Sequence, residues 1–152
     1  MKQENKDNVF EQLKIDEGVV YEVYKDHLGY PTFGVGHLVL DSDPEHGEEV
    51  GTPVNEDRVK DCFDKDLEIA ISECHALYTE ESFDDFPGEV QEILVNMMFN
   101  MGRPRLSKFK GMKAGVDAQD WNKAADEMID SAWYRQVPNR AGRLVKRMRA
   151  LA

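Results

Sequence analysis

The stretch from Val90 to Met101 constrains the fold most. Read at 3.6 residues per turn, Val90, Ile93, Leu94, Val95, Met97, Met98, Phe99 and Met101 make a helix apolar nearly all round. Such a helix has little face for water, so other elements must wrap it. It predicts the buried centre of a helical lobe. Pro87 suits its first turn, and Gly102 and Pro104 predict its stop.

The flanking sequence supplies the wrapping. From Asn55, a good N-cap, the residues Val59, Cys62, Phe63, Leu67, Ala70, Cys74 and Leu77 recur at spacings of three and four and predict a long amphipathic helix. At the chain start Asn8 reads as an N-cap, with Glu11 three residues on as in a capping box and Gly18 as the stop. Tyr21 and Val23, then Tyr30, Thr32, Phe33 and Val35, alternate like short strands joined by a turn at Asp26-His27-Leu28-Gly29. Residues 41–53 read as an exposed loop. Further helices are expected at about 106–114, 118–130 and 138–149, capped by Ser107 or Asp117 and opened by Pro138. The fold class is therefore α+β and mostly helical, with one small sheet near the N-terminus.

Composition narrows the function. No apolar run approaches the roughly 20 residues of a membrane-spanning helix, and the polar start Met1-Lys2-Gln3-Glu4-Asn5-Lys6-Asp7 has no apolar signal core. Cys62 and Cys74 stand three turns apart on one predicted helix, too far to bridge, so both are expected as free, buried thiols in a reducing compartment. Charge is uneven. Residues 1–102 hold 7 Lys/Arg against 25 Asp/Glu, a net −18, and residues 103–152 hold 12 against 5, a net +7, which together give −11. The basic part either faces solvent or meets an anionic partner. A nucleic-acid role for Arg140, Arg143, Lys146, Arg147 and Arg149 is the weaker reading, because the same positions suit a basic helix C-terminus. Asp41, Asp43, Glu45, Glu48 and Glu49 lack the ligand order of a calcium loop and read as a solvated acidic loop. No metal or cofactor motif is expected.

The chemistry concentrates between Ile15 and His37. The stretch reads Ile15-Asp16-Glu17-Gly18, then Tyr24-Lys25-Asp26, then Gly29-Tyr30-Pro31-Thr32-Phe33-Gly34-Val35-Gly36-His37. Two carboxylates bracket a Gly-rich, strand-like segment that carries a Thr and a His. Hydrolysis of a glycosidic bond needs two carboxyls, one protonated to serve the leaving oxygen and one ionised to act on the other face of the ring. This segment resembles the active-site region of the phage-type lysozymes, glycoside hydrolase family 24. Asn96-Met97-Met98-Phe99-Asn100-Met101-Gly102 resembles the family's central buried helix, and Trp133-Tyr134-Arg135-Gln136-Val137-Pro138-Asn139-Arg140-Ala141 its C-terminal signature. Three motifs in order span nearly the whole chain.

The resemblance implies a single lysozyme domain over 1–152, with an N-terminal lobe (1–54), a linking helix (55–78) and a helical C-terminal lobe (79–152), and a cleft between the lobes. It implies that Glu17 is the general acid, that Asp26 and Thr32 handle the attacking water, and that Leu38, Phe99, Asn100 and Arg140 contact substrate, with Arg140 facing Glu17. It implies a structural pair of His37 with Asp66. The expected activity is a muramidase that cleaves the β-1,4 bond between N-acetylmuramic acid and N-acetylglucosamine in peptidoglycan and lyses bacteria. The expected protein needs no cofactor, is a monomer, and waits in the host cytoplasm until released to the wall. Two rivals are an inert lysozyme-like binding module and a transglycosylase or chitinase-like enzyme. The chain departs from the family in a short, acidic stretch of sixteen residues between His37 and Val54, in its early end after Arg149, and in Met112 and Glu127, where smaller polar sugar contacts are expected.

Overall fold

The computed structural model describes residues 1–152. Helix α1 (Gln3–Glu17) leads into strands β1 (Val20–Lys25), β2 (Pro31–Gly34) and β3 (His37–Leu38). Helices α2 (Glu56–Tyr78), α3 (Glu80–Asp85), α4 (Gly88–Leu106), α5 (Lys110–Asp117), α6 (Trp121–Ile129), α7 (Ala132–Gln136) and α8 (Pro138–Arg149) follow. The strands form one antiparallel sheet in the order β1-β2-β3. The mostly helical α+β class stands.

The chain divides into two compact units, residues 10–69 and residues 1–9 with 70–152, so both boundaries fall inside helices, α1 and α2. In the smaller unit, Tyr24 pairs with Thr32 and Lys25 with Pro31 across β1 and β2, and Phe33 pairs with His37 across β2 and β3. Phe33, Val23 and Leu13 are fully or almost fully buried there. Gly34 takes φ +65°, and a Cβ on it would stand 3.2 Å from the Val59 side chain, so the sheet lies tight against α2. Asn55 caps α2 through its side-chain oxygen, which accepts from the Arg58 amide at 2.8 Å.

In the larger unit α4 is the buried centre. Val90, Ile93, Leu94, Val95, Met97 and Asn96 are sealed from solvent, as the all-round apolar pattern demands. Gly102 (φ 76°) breaks the helix, but one further turn to Leu106 follows, so the expected stop is a kink.

Several expected boundaries are corrected. Helix α1 begins at Gln3 and Asn8 is inside it. The Asn8 amide donates to Glu92 at 3.2 Å and does not cap. A long-range partner outweighs the local cap. The expected helix at 106–114 is displaced to α5, because Ser107 is used at the end of α4, and Asp117 closes α5 without capping the next helix. Asp120 caps α6 and Ser131 caps α7. The short helices α3 and α7 were not expected from periodicity; neither is long enough to show one. Thr79 starts α3 by accepting from the Ser82 amide.

Candidate active site

Glu17 is the last residue of α1 and is solvent-exposed. Gly18 follows at φ +75°, which turns the chain out of the helix toward β1. The backbone at Gly36 (φ +63°) passes close to the acid, since a Cβ there would stand 3.7 Å from Glu17 Oε2.

Asp26 follows β1 at the head of the turn. Its Oδ1 accepts two backbone N–H bonds, from Leu28 and from Tyr30, both at 2.9 Å. This is an Asx-type turn, and it fixes the carboxylate by the backbone it organises. The Asp26 amide in turn donates to the Tyr30 carbonyl at 2.9 Å. The same carbonyl accepts the buried Thr32 hydroxyl at 3.0 Å. One oxygen therefore ties Asp26 and Thr32 to a common point, and the two residues expected to handle a water are held together at the mouth of the hairpin.

Tyr24, on β1, was not singled out from sequence. Burial pushes its hydroxyl above the ordinary tyrosine value, and the charges of Glu17 and Asp26 push it further. Tyr24 thus feels both carboxylates. Its signal in the sequence was only its position two residues before Asp26.

His37 opens β3 and is buried. Its Nδ1 stands 2.7 Å from Asp66 Oδ2 on α2, and its Nε2 2.7 Å from Asp43 Oδ2 in the 39–53 loop. Burial lowers its pKa, but the hydrogen bonds and charges of Asp66 and Asp43 outweigh burial, and the net pKa is raised. Asp43 is correspondingly lowered: burial opposes the shift, while the Leu40 amide, His37 and Arg58 drive it. Arg58 also grips Glu45 through Nε at 3.0 Å and a terminal nitrogen at 2.8 Å. The expected solvated acidic loop holds at Asp41, Glu48 and Glu49, which are exposed, and is corrected at Asp43 and Glu45. The Asp43 and Glu45 side chains are only 14% and 13% exposed, neutralised by Arg58 and His37.

A raised His pKa stabilises the fold below the unfolded value of about 6.5, and that contribution fades as pH rises through the folded value. The lowered Asp43 contributes above about pH 4 and loses its share as pH falls through its folded value. In metal-free buffer, Asp66→Asn should cost about 1.5 kcal/mol near pH 5, the scale of a hydrogen bond to a charged group. The cost should shrink above the folded His37 pKa. Denaturant titrations at several pH values measure it, and a loss that is flat with pH would discard the imidazolium link.

Of the other expected substrate contacts, one belongs to the smaller unit and three to the larger. Leu38, on β3, is 47% exposed. Phe99, Asn100 and Arg140 belong to the larger unit. Asn100 Oδ1 accepts from Trp133 Nε1 at 2.7 Å. Arg140 is buried, with Nε donating to Asn96 Oδ1 at 2.9 Å and a terminal nitrogen to the Asn96 carbonyl at 3.2 Å. Met112 is buried, and the Glu127 carboxylate lies over Gly111, where a Cβ would come within 2.4 Å of it. The basic C-terminal region is also partly consumed internally. Arg147 pairs with Glu89 and Glu92, and Arg149 with Asp126. Cys62 and Cys74 are free and buried, and burial pushes their thiols up to about 11 and about 12, so neither is a ready nucleophile.

The phage lysozyme family model matches residues 14–150. The chain is 29% identical over 155 residues to probable T4-type lysozyme 1 of Dictyostelium discoideum, across 91% of each protein. It is 29% identical over 151 residues to the pre-baseplate central spike protein Gp5 of Enterobacteria phage T4, across 88% of this chain and 26% of that protein. It is 30% identical over 129 residues to peptidoglycan hydrolase gp36 of Pseudomonas phage phiKMV, across 84% of this chain and 13% of that one. A match that begins before Glu17 and runs to the end of α8 covers both candidate carboxylates, and the chain belongs to the phage lysozyme family, whose members are glycoside hydrolases.

Proposed function

We propose that this protein is a muramidase that hydrolyses the β-1,4 bond between N-acetylmuramic acid and N-acetylglucosamine in bacterial peptidoglycan, with Glu17 as general acid and Asp26 with Thr32 handling the water. The observation that carries the reading is the Tyr30 carbonyl, which receives both the Asp26 amide and the Thr32 hydroxyl. It supports a fixed pair on the side of the hairpin that an attacking water would use.

The chemistry follows from the atoms. Glu17 gives its proton to the glycosidic oxygen as the C1–O bond breaks. Asp26 is the carboxylate on the other side of the ring, held in place by two backbone N–H donors on its Oδ1. Its Oδ2 carries no hydrogen bond and is the oxygen offered to the water. Thr32, whose proton is spent on the Tyr30 carbonyl, has lone pairs to accept one water hydrogen while Asp26 takes the other. The water adds to C1 from the opposite face, which inverts the anomeric centre. Glu17 is exposed in the free protein, so a bound saccharide can reach it. Leu38, Phe99, Asn100 and Arg140 are proposed to line the glycan path.

The place of action follows the substrate. No helix is long and apolar enough to cross a membrane. We read the protein as an endolysin, a monomer held in the host cytoplasm and released to the wall at lysis.

Digestion of purified peptidoglycan tests the reading. Turbidity should fall, and the released fragments should carry the mass of an added water, with the new reducing end first appearing as the α anomer by NMR. Anhydro-muramyl ends would establish a transglycosylase instead. Wall binding without turbidity loss would establish an inert module. A first product in the β form would replace inversion by a covalent intermediate on Asp26.

A further inference from the structure

Beside the carboxylate pair lies a second cluster that glycoside hydrolysis does not use. His37 from β3, Asp43 from the 39–53 loop and Cys62 from the second turn of α2 offer one nitrogen, one oxygen and one sulfur, all within 4.8 Å of one another. His37 and Cys62 are 7% and 2% exposed. The Cys62 sulfur makes no hydrogen bond and is aimed into the group. We propose that these three residues form a binding site for a borderline-soft divalent cation, zinc being the best match, with water as the fourth ligand and Asp66 fixing the imidazole.

The donor set selects the ion. One thiolate, one imidazole and one carboxylate suit tetrahedral zinc and disfavour calcium and magnesium, which take oxygen ligands. Second-sphere geometry supports it independently. Asp66 Oδ2 stands 2.7 Å from His37 Nδ1, which turns Nε2 toward Asp43 and Cys62. A carboxylate on the far nitrogen is how metal-bound histidines are usually held. Arg58, Cys62 and Asp66 follow at four-residue spacing along one face of α2. The Arg58 guanidinium also reaches Asp43, yet its charge is matched by the two-pronged bond to Glu45, so it leaves Asp43 Oδ2 on the His37 side. Phe33 packs on the imidazole with ring centroids 5.0 Å apart and gives the site a dry wall.

The required movement is small. Donors around one tetrahedral zinc stand roughly 3.3–3.6 Å apart, given bonds of about 2.0–2.3 Å. The 2.7 Å contact from Nε2 to Asp43 Oδ2 opens as the ion enters, and the sulfur closes in. Two protons leave, one from Nε2 and one from the Cys62 thiol, and nothing is oxidised or reduced. Asp43 Oδ2 keeps its bond from the Leu40 amide. The ion would join β3, the 39–53 loop and α2.

Cobalt titration of chelator-treated protein tests the site. Co²⁺ should bind one to one and give a thiolate-to-cobalt charge-transfer band with tetrahedral visible bands, both displaced by Zn²⁺. Cys62→Ser should abolish the band and Cys74→Ser should leave it. Asp66→Asn should weaken zinc by roughly 10- to 100-fold in competition with a chelating dye, the usual cost of a lost outer partner. Zinc should raise the melting temperature of the wild type and not of Cys62→Ser. If Cys62→Ser does not fold, as judged by circular dichroism, Asp43→Asn replaces it and should also weaken binding. No charge-transfer band in the wild type, or a band that survives loss of Cys62, would overturn the proposal. So would zinc affinity unchanged in Asp43→Asn.

Discussion

Glu17→Gln should give a folded protein whose lysis of bacterial walls is down by about 10²-fold or more, the lower scale of general acid catalysis. The substitution keeps length and shape and removes the carboxyl's proton and its charge. Glu17 is exposed at the end of α1, so the circular dichroism spectrum should stay that of the folded protein. Tyr24 reports the change from within the site. Glu17 is one of the two charges holding its hydroxyl up, so the Tyr24 titration should shift toward the ordinary value in the variant. Turbidity assays on a preparation free of wild-type enzyme measure the first effect, and tyrosine ultraviolet titration the second. Near-wild-type lysis would remove Glu17 from the mechanism. Lost lysis with an unmoved Tyr24 would leave Glu17 catalytic and end the view that its charge, like that of Asp26, acts on Tyr24.

Much of this site was readable because its geometry is local. Asp26 sits where strand alternation breaks at a turn, and the turn that its carboxylate builds spans only residues 26–30. Thr32 lies next to it because a short hairpin leaves few registers. The core helix was readable for a different reason: an apolar surface all round has one solution, burial. What escaped the sequence is what depends on distant partners. Asn8 looks like a cap because Glu11 and an apolar run follow it, but Glu92, 84 residues away, takes its amide. Asp43 and Glu45 look like solvated acids until Arg58, on a helix 13 to 15 residues on, arrives between them. Cys62 reads as plain core by its spacing, and only the fold brings His37 and Asp43 to its sulfur.

The Glu92 network carries the largest stability effect. Glu92 is 3% exposed on the central helix α4, with Arg147 at 2.8 Å, Asn5 at 2.7 Å and Asn8 at 3.2 Å on its two oxygens. It therefore binds α4 to α8 and to the first turns of α1, all within the larger unit. Arg147 is shared with Glu89, whose pKa the Arg147 hydrogen bonds lower against the opposing effect of burial. Glu92→Ala leaves two amides and part of a guanidinium without their acceptor in a dry place. Breaking a buried pair from one side costs about 3–5 kcal/mol, a large share of a domain's total of about 5–15 kcal/mol. At roughly 2–4 °C per kcal/mol for a chain of this size, the melting temperature should fall by about 10 °C. The test separates a bad partner from a good pair. The double variant Glu92→Met with Arg147→Met removes both charges, so the share of the loss that comes from the unpaired guanidinium should return, while the share from the two orphaned amides stays. Lysis per folded molecule, measured well below the transition, should stay near wild type in both, because neither residue bears on Glu17, Asp26 or Thr32. A Glu92→Ala protein within about 1 kcal/mol of wild type would mean that water reaches the gap and solvates the orphaned groups. A double variant no better than the single would mean that the orphaned Asn5 and Asn8 amides, and not an unpaired charge, carry the loss.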